Sequence, residues 1–226
     1  MPIENSSEGA VNRTLDMMLQ TSLIISGEVA IAVHHSLMTK SGNMDGVTSI
    51  CAHSQALAQC QSWLAKHLPH AERRPVESNA EGARLASLHP NWAGIAGERA
   101  AQQFGLHITA HAIQDDAYNR TRFAVICLPQ TLAMPAATGR DCTSIVVSVP
   151  NKPGSVHDML TPLKKHGVSM TRLESRPAKS GKWEYYFYID LQGHPSQANV
   201  AAALSELQAY CAFYKMLGAY PLGQDV

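Results

Sequence analysis

Thr121-Arg122-Phe123 sets a hydroxyl, a guanidinium and an aromatic ring at the head of an apolar stretch that runs to Leu128. A guanidinium holds a carboxylate through two parallel hydrogen bonds, and a hydroxyl can pass a proton or a hydrogen bond to a departing oxygen. A loop that feeds such a strand is where α/β folds present groups to a cleft. Alone, the tripeptide also fits a strand-starting Thr beside a surface Arg. Asn5 and Ser6 precede Val11, Leu15, Met18 and Leu19, which recur at helical spacing. They would set an amide and a hydroxyl at a helix start, where free N–H groups favour an anion. With Glu8 in the place a capping box wants a carboxylate, a plain helix cap explains the same residues.

Two further helix starts carry polar groups. Gln55 and Gln59 lie one turn apart after His53, and Glu77-Ser78-Asn79 opens the next helix with a carboxylate and a hydroxyl. Nearer the C-terminus, Asn151-Lys152-Pro153-Gly154-Ser155-Val156 stands between a strand and a helix. There Pro and Gly would fix a tight turn and leave N–H groups for a carboxylate, or form an ordinary turn. Glu174-Ser175-Arg176-Pro177 closes a later strand. The eleven histidines show no ligand spacing, so no metal site is expected.

The elements that must hold these residues alternate between strand and helix. Helical spacing predicts one helix after Ser6 and another over Ser54–His67; Leu23–Ile25 and Glu28–His34 read as a strand pair, with His34 and His35 on a strand. A capped helix follows from Asn79, a strand over Trp92–Ala96, a helix from Glu98 to Gly105, and strands over Leu106–Ile113 and Arg122–Leu128. We expect a first region over 1–130, a Pro/Ala/Thr/Gly linker over 131–142 and a second region over 143–222. That second region runs strand Ile145–Val149, helix Ser155–His166, strand Val168–Ser175, strand Trp183–Leu191, helix Gln197–Gln208 and strand Phe213–Tyr220. This is the ferredoxin-like βαββαβ order. Tyr185, Phe187, Ile189 and Leu191 fall on one face of its third strand, and Glu184, Tyr186, Tyr188 and Asp190 on the other.

The 226 residues hold 18 Lys+Arg and 18 Asp+Glu, so the chain is neutral and no charged block recommends nucleic acid or an anionic membrane as partner. Its longest uncharged run, Gly46–Ala65, is broken by Ser, Thr, His and Gln and does not read as a membrane span. Five irregularly spaced cysteines without a C-x-x-C suit reduced thiols, and no secretion signal opens the chain, so a cytoplasmic protein is expected.

Four stretches occur together: Pro2-Ile3-Glu4-Asn5-Ser6 with Glu8-Gly9; His53-Ser54-Gln55-Ala56-Leu57; Asn119-Arg120-Thr121-Arg122-Phe123 with Asp115 upstream; and Met170-Thr171-Arg172-Leu173-Glu174-Ser175-Arg176-Pro177. In this order they resemble prephenate dehydratases that carry an ACT regulatory domain, and the likeness runs from Pro2 to Pro221. The resemblance implies an α/β fold: a two-lobed, periplasmic-binding-protein-like catalytic region followed by the ferredoxin-like ACT domain. It implies a cofactor-free lyase that converts prephenate to phenylpyruvate in phenylalanine biosynthesis, as a homodimer or homotetramer. Thr121 would be the catalytic donor, with Asn5, Ser6, Gln59, Glu77, Arg122 and Phe123 around the substrate. L-phenylalanine would bind as effector at Asn151, Pro153, Gly154, Ser155 and Val156 and at Glu174, Ser175, Arg176 and Pro177. Ala52 and Ser54 depart from the family's usual Ser and Pro, and Gly154-Ser155-Val156-His157 departs from its Gly-Ala-Leu-Val. Relatives usually begin earlier, with a glycine-rich strand-to-helix turn. The expectation is thus a catalytic region lacking part of its first lobe, with weak or no activity. Arogenate dehydratase and a non-catalytic phenylalanine-binding or dimerisation protein stand as alternatives.

Overall fold

The computed structural model describes residues 1–129, 135–178 and 184–223. It divides into two compact units, Met1–Ile31 with Thr121–Val226 and Ala32–Arg120. The first unit opens with strands β1 (Pro2–Asn5) and β2 (Gly9–Ala10), helix α1 (Asn12–Gln20) and strand β3 (Ile24–Ala32). The helix expected to start at Ser6 starts at Asn12 instead. Asn5 Oδ1 accepts the amides of Ser7 and Glu8 at 3.0 and 3.2 Å, and that side-chain turn folds the chain back into β2. The helical spacing itself holds, since α1 buries Thr14, Leu15 and Met18. The expected strand pair between Leu23 and His34 is the single strand β3, and His34 and His35 lie beyond it in irregular chain.

The second unit is built on β4 (Ser36–Thr39), β5 (Ser49–His53), β6 (Glu72–Val76), β7 (Trp92–Ala96) and β8 (His107–Ala110), in the order β6-β5-β7-β4-β8. Its helices are α2 (Ser54–Gln59), α3 (Gln61–His67), α4 (Asn79–Leu88) and α5 (Glu98–Phe104). Strand β5 lies parallel to both β6 and β7, so α2, α4 and α5 all begin at the carboxyl ends of parallel strands. Buried on both faces, β5 reads as a continuous small apolar run rather than an alternating one. Helix α4 lies almost on its backbone: a Cβ at Gly82 would stand 2.3 Å from the Cys51 carbonyl oxygen. The single helix expected over Ser54–His67 is two, broken at buried Cys60. The second is capped from a distance, because the Asp115 carboxylate accepts the Ser62 and Trp63 amides at 3.0 and 3.2 Å.

The chain then returns to the first unit through β9 (Arg120–Cys127), β10 (Asp141–Ser148), α6 (Ser155–Lys165), β11 (Met170–Pro177), β12 (Tyr185–Gln192), α7 (Ala198–Tyr210) and β13 (Phe213–Pro221). Residues 130–134, where the expected linker begins, and Trp183 at the head of the expected third strand lie outside the described residues. The last six elements form the ferredoxin-like arrangement, an antiparallel sheet in the order β11-β12-β10-β13. Alternation along its strands splits the core in two. Ile145, Val147, Ile189 and Leu191 pack under the helices with Met159, Leu163, Ala203 and Leu207. Val146, Tyr188, Leu217 and Tyr220 instead meet Ile3, Leu15, Met18, Ile25 and Ala124, from α1 and the sheet β2-β1-β9-β3. The Tyr188 ring can be buried there because its hydroxyl donates to the Leu15 carbonyl oxygen at 2.7 Å. No helix among the described residues is long and apolar enough to cross a membrane.

Candidate functional site

In the first unit β1 and β9 run antiparallel with Asn5 opposite Thr121 and Glu4 opposite Arg122. Successive residues of a strand face opposite ways, so this register puts Asn5 and Thr121 on one face and Glu4 and Arg122 on the other. Asn5 Nδ2 donates to Thr121 Oγ1 at 3.0 Å. The amide cannot be flipped, because its oxygen already takes the Ser7 and Glu8 amides. The Thr121 oxygen is therefore the acceptor of that bond, and its hydroxyl proton is left to be donated elsewhere. Ser6 is exposed in the same turn, and Phe123 stands two residues on from Thr121, half-buried on its face of the strand.

Arg122 is not brought into this group. Its guanidinium meets Asp190 Oδ2 at 2.6 Å, Glu4 Oε2 at 3.0 Å and Glu28 Oε2 at 3.2 Å, with the Asp190 and Glu28 side chains 5% and 9% exposed. Burial works against the charge, but Asp190 and Glu28 outweigh it and hold the guanidinium above its ordinary pKa. The structure thus places Arg122, expected beside the substrate, on the face away from Thr121, with three carboxylates of the protein around its fork. A sequence shows that neighbouring strand residues point apart, but not which of them points inward.

In the second unit, Gln59 ends α2 and its Oε1 lies 2.8 Å from Nε2 of His35, a histidine that sequence reasoning did not single out. His35 is buried, and among the described residues His35 Nδ1 and Gln59 Nε2 have no hydrogen-bond partner. The pairing spans 24 residues with no local motif, so nothing in the sequence points to it. His53 caps α2 through Nδ1, which accepts the Gln55 amide at 3.3 Å, and its own amide is held by Asn79 Oδ1 at 2.9 Å. Glu77 is exposed between β6 and α4, where Ser78 caps by accepting the Glu81 amide at 3.1 Å. His53 and Glu77 thus share the carboxyl edge of the parallel strands, the edge where α/β sheets bind ligands.

The turn at Asn151, Pro153, Gly154, Ser155 and Val156 leads into α6, with Gly154 at the cap in a left-handed conformation (φ +84°). Strand pairing sets Ser148 beside Tyr186 and Tyr186 beside Arg176, so this turn and Glu174, Ser175, Arg176 and Pro177 lie at the same end of the sheet. Ser175 and Pro177 face the helix side with Phe187, whereas Glu174 and Arg176 face the other way. There Arg176 grips Asp16 of α1 in a two-pronged pair, with all three contacts at 3.1–3.2 Å. Beside that pair lies a cavity of about 170 Å³ lined also by Leu19, Gln20, Tyr186 and Tyr188. Among the described residues no group of three His, Cys, Asp or Glu side chains is placed to hold a metal ion.

The chain matches the prephenate dehydratase family over residues 1–131 and the ACT domain over residues 143–209. It is 46% identical over 223 residues to a bifunctional chorismate mutase/prephenate dehydratase of Neisseria gonorrhoeae, covering 97% of this chain and 60% of that protein. To a prephenate dehydratase of Mycobacterium ulcerans it is 37% identical over 226 residues, covering 99% of this chain and 71% of that one. The chain thus spans only 60% of the length of the bifunctional relatives. Among solved structures, the prephenate dehydratase of Arthrobacter aurescens in complex with L-Phe superposes with a TM-score of 0.86 at 34% identity, covering 97% of this chain and 73% of that one. GqqA, described as a novel type of quorum quenching acylase, superposes at 0.87 with 27% identity, covering 99% and 81%. With the match extending over the two strands and the helix that carry Asn5, Thr121 and Gln59, the chain belongs to the prephenate dehydratase family and carries an ACT domain.

Proposed function

We propose that the protein is a prephenate dehydratase in which Thr121 donates to the departing ring hydroxyl. The observation that carries this is the fixed Asn5 amide, which makes the Thr121 oxygen an acceptor and leaves its hydroxyl proton to be donated elsewhere. In the reaction the ring C–O bond breaks and hydroxide leaves as water on taking a proton. The ring carboxylate departs as carbon dioxide, and its bonding pair enters the ring as aromaticity is gained. Such a reaction asks for positioning and a well-placed donor rather than an electron sink. Ser6 and Phe123 in the first unit and Gln59 and Glu77 in the second are the remaining substrate candidates. Thr121→Ala should lower kcat about 100-fold or more with KM little changed, the cost of losing one preorganised donor, and Thr121→Ser should restore most of it. An unchanged kcat in Thr121→Ala removes Thr121 from the mechanism. Running the assay with prephenate and with arogenate decides between the two dehydratase substrates.

We read the turn at Gly154 and the end of β11 as an L-phenylalanine effector site shared between subunits of a homodimer or homotetramer. In support, β11 is an edge strand, and Leu173, Val156 and Tyr185 are 40, 39 and 38% exposed near it. Light scattering should give at least a dimer, with or without L-phenylalanine; a strict monomer in both refutes the shared site. Unpaired thiols at Cys51, Cys60, Cys127, Cys142 and Cys211 support a cytoplasmic protein. A second reading, cleavage of an acyl bond, is favoured by the likeness to GqqA. Hydrolysis of an N-acyl amide that survives Thr121→Ala, with no phenylpyruvate formed from prephenate, would select it.

A further inference from the structure

Behind Thr121 lies a charge cluster that the chemistry at its hydroxyl does not use. Arg122 directly follows Thr121 on β9, and Glu4 directly precedes Asn5 on β1, so the hydrogen-bonded pair and the charged pair are two faces of one ladder step. Of the three carboxylates around Arg122, Glu4 and Glu28 come from the N-terminal strands. Asp190 alone comes from the ACT sheet, on β12. It is also the most firmly held: it is 4% exposed, and its Oδ1 takes the Ser144 hydroxyl at 2.6 Å. Ser144 in turn lies 2.8 Å from the Tyr220 hydroxyl. Arg172 of β11 leans on the same group, 3.5 Å from Glu4 and 4.0 Å from Asp190.

Stability alone does not account for this cluster. Apolar side chains of similar volume would join the two sheets at no desolvation cost, and buried ion pairs seldom exceed such replacements. What charges with short, directed bonds add is a single fixed geometry. The guanidinium spans Asp190 on one sheet and Glu4 and Glu28 on the other, and it is one residue from the hydroxyl that must be aimed.

We propose that Asp190 is a positioning residue for Thr121, fixing Arg122 and thereby the placement of β9 from which the Thr121 hydroxyl is presented. The proposal rests on Thr121 acting as the donor. It is tested in the full chain with Asp190→Asn, which keeps the shape and removes the charge. Phenylpyruvate formation should lose about tenfold or more in kcat with KM within about twofold. In a Thr121→Ala background the same change should cost nothing further, because both then remove one function. A kcat within about twofold of the parent, or a full additional loss in the Thr121→Ala background, overturns it. If Asp190→Asn does not fold, Ser144→Ala, which removes only the hydroxyl donated to Asp190, serves instead. A fall of about threefold in kcat is then expected, and none overturns the proposal. If the parent itself forms no phenylpyruvate, the reading of Thr121 fails separately, and amide hydrogen exchange decides the positioning. Exchange across residues 120–127 that is faster in Asp190→Asn, or in Ser144→Ala, while residues 49–53 are unaffected supports the role, and unchanged exchange overturns it.

Discussion

Removing the Arg122 side chain should destabilise the first unit far more than removing a lysine from a pair of similar length on its surface. The relevant quantity is how much water can replace the lost partner. Asp190 and Glu28 are 5% and 9% exposed, so without the guanidinium both remain buried charges, left to the Ser144 hydroxyl and the more distant Arg172 at Asp190 and to the Gly223 amide at Glu28. Truncating one partner of such a pair costs about 3–5 kcal/mol. Glu4, at 36% exposure, can rehydrate, which places Arg122→Ala near the lower end, about 3 kcal/mol. At a urea dependence of about 2–3 kcal/mol per M, the unfolding midpoint followed by far-UV circular dichroism should fall by about 1–1.5 M. Lys165 and Glu206, in the same unit, are 2.9 Å apart but 59% and 31% exposed. Lys165→Ala should therefore move the midpoint by only a small fraction of that amount, since water and salt already screen the pair. Equal shifts for the two variants would refute the argument that burial, and not ion-pair distance, decides the contribution.

Gly82→Ala should lower the melting temperature of the second unit sharply, because its Cβ would stand 2.3 Å from a backbone oxygen of β5 that cannot move aside. Overpacking of this kind costs about 1–3 kcal/mol, and a shift below about 2 °C would contradict the close approach. Asp141→Asn tests a pH dependence. Burial alone would raise the Asp141 carboxyl, but hydrogen bonds from the Thr138 hydroxyl and amide and the Gly139 amide, at 2.7–3.2 Å, outweigh it and hold the group below its ordinary value. A carboxylate depressed in the folded state stabilises above its unfolded pKa of about 3.9, and that stabilisation is lost as pH falls through the lower folded value. The deficit of Asp141→Asn relative to the parent should thus be full at pH 7 and shrink below about pH 4. A deficit that is the same at pH 7 and pH 3 would count against those bonds.

The ferredoxin-like half was legible because β12 alternates without a break, so period alone put Ile189 and Leu191 on one face and Tyr188 on the other; which face meets the helices came only from the packing. Helix α4 was legible from its own cap. Strands β4 and β6 were not. Ser36–Thr39 is buried on both faces and too short to show a period, while the edge strand β6 reads Glu-Arg-Arg-Pro-Val, with the polar surface and proline that edges carry. The break at Cys60 was hidden because the cap on α3 comes from Asp115, more than fifty residues downstream. At the site, the motifs brought out Asn5, Thr121 and Gln59, but the partners that orient them are long-range. The Asn5–Thr121 bond spans 116 residues and the Arg122–Asp190 pair 68, and the direction in which Arg122 points follows from strand register rather than from residue type.

The most direct test of the account is absorbance-monitored formation of phenylpyruvate from prephenate by the purified chain and by its Thr121→Ala variant, each with and without millimolar L-phenylalanine. The prediction is weak formation, above the enzyme-free rate, that L-phenylalanine suppresses and Thr121→Ala abolishes or nearly so. Formation that is the same in the Thr121→Ala variant, or no formation above the enzyme-free rate, would contradict it.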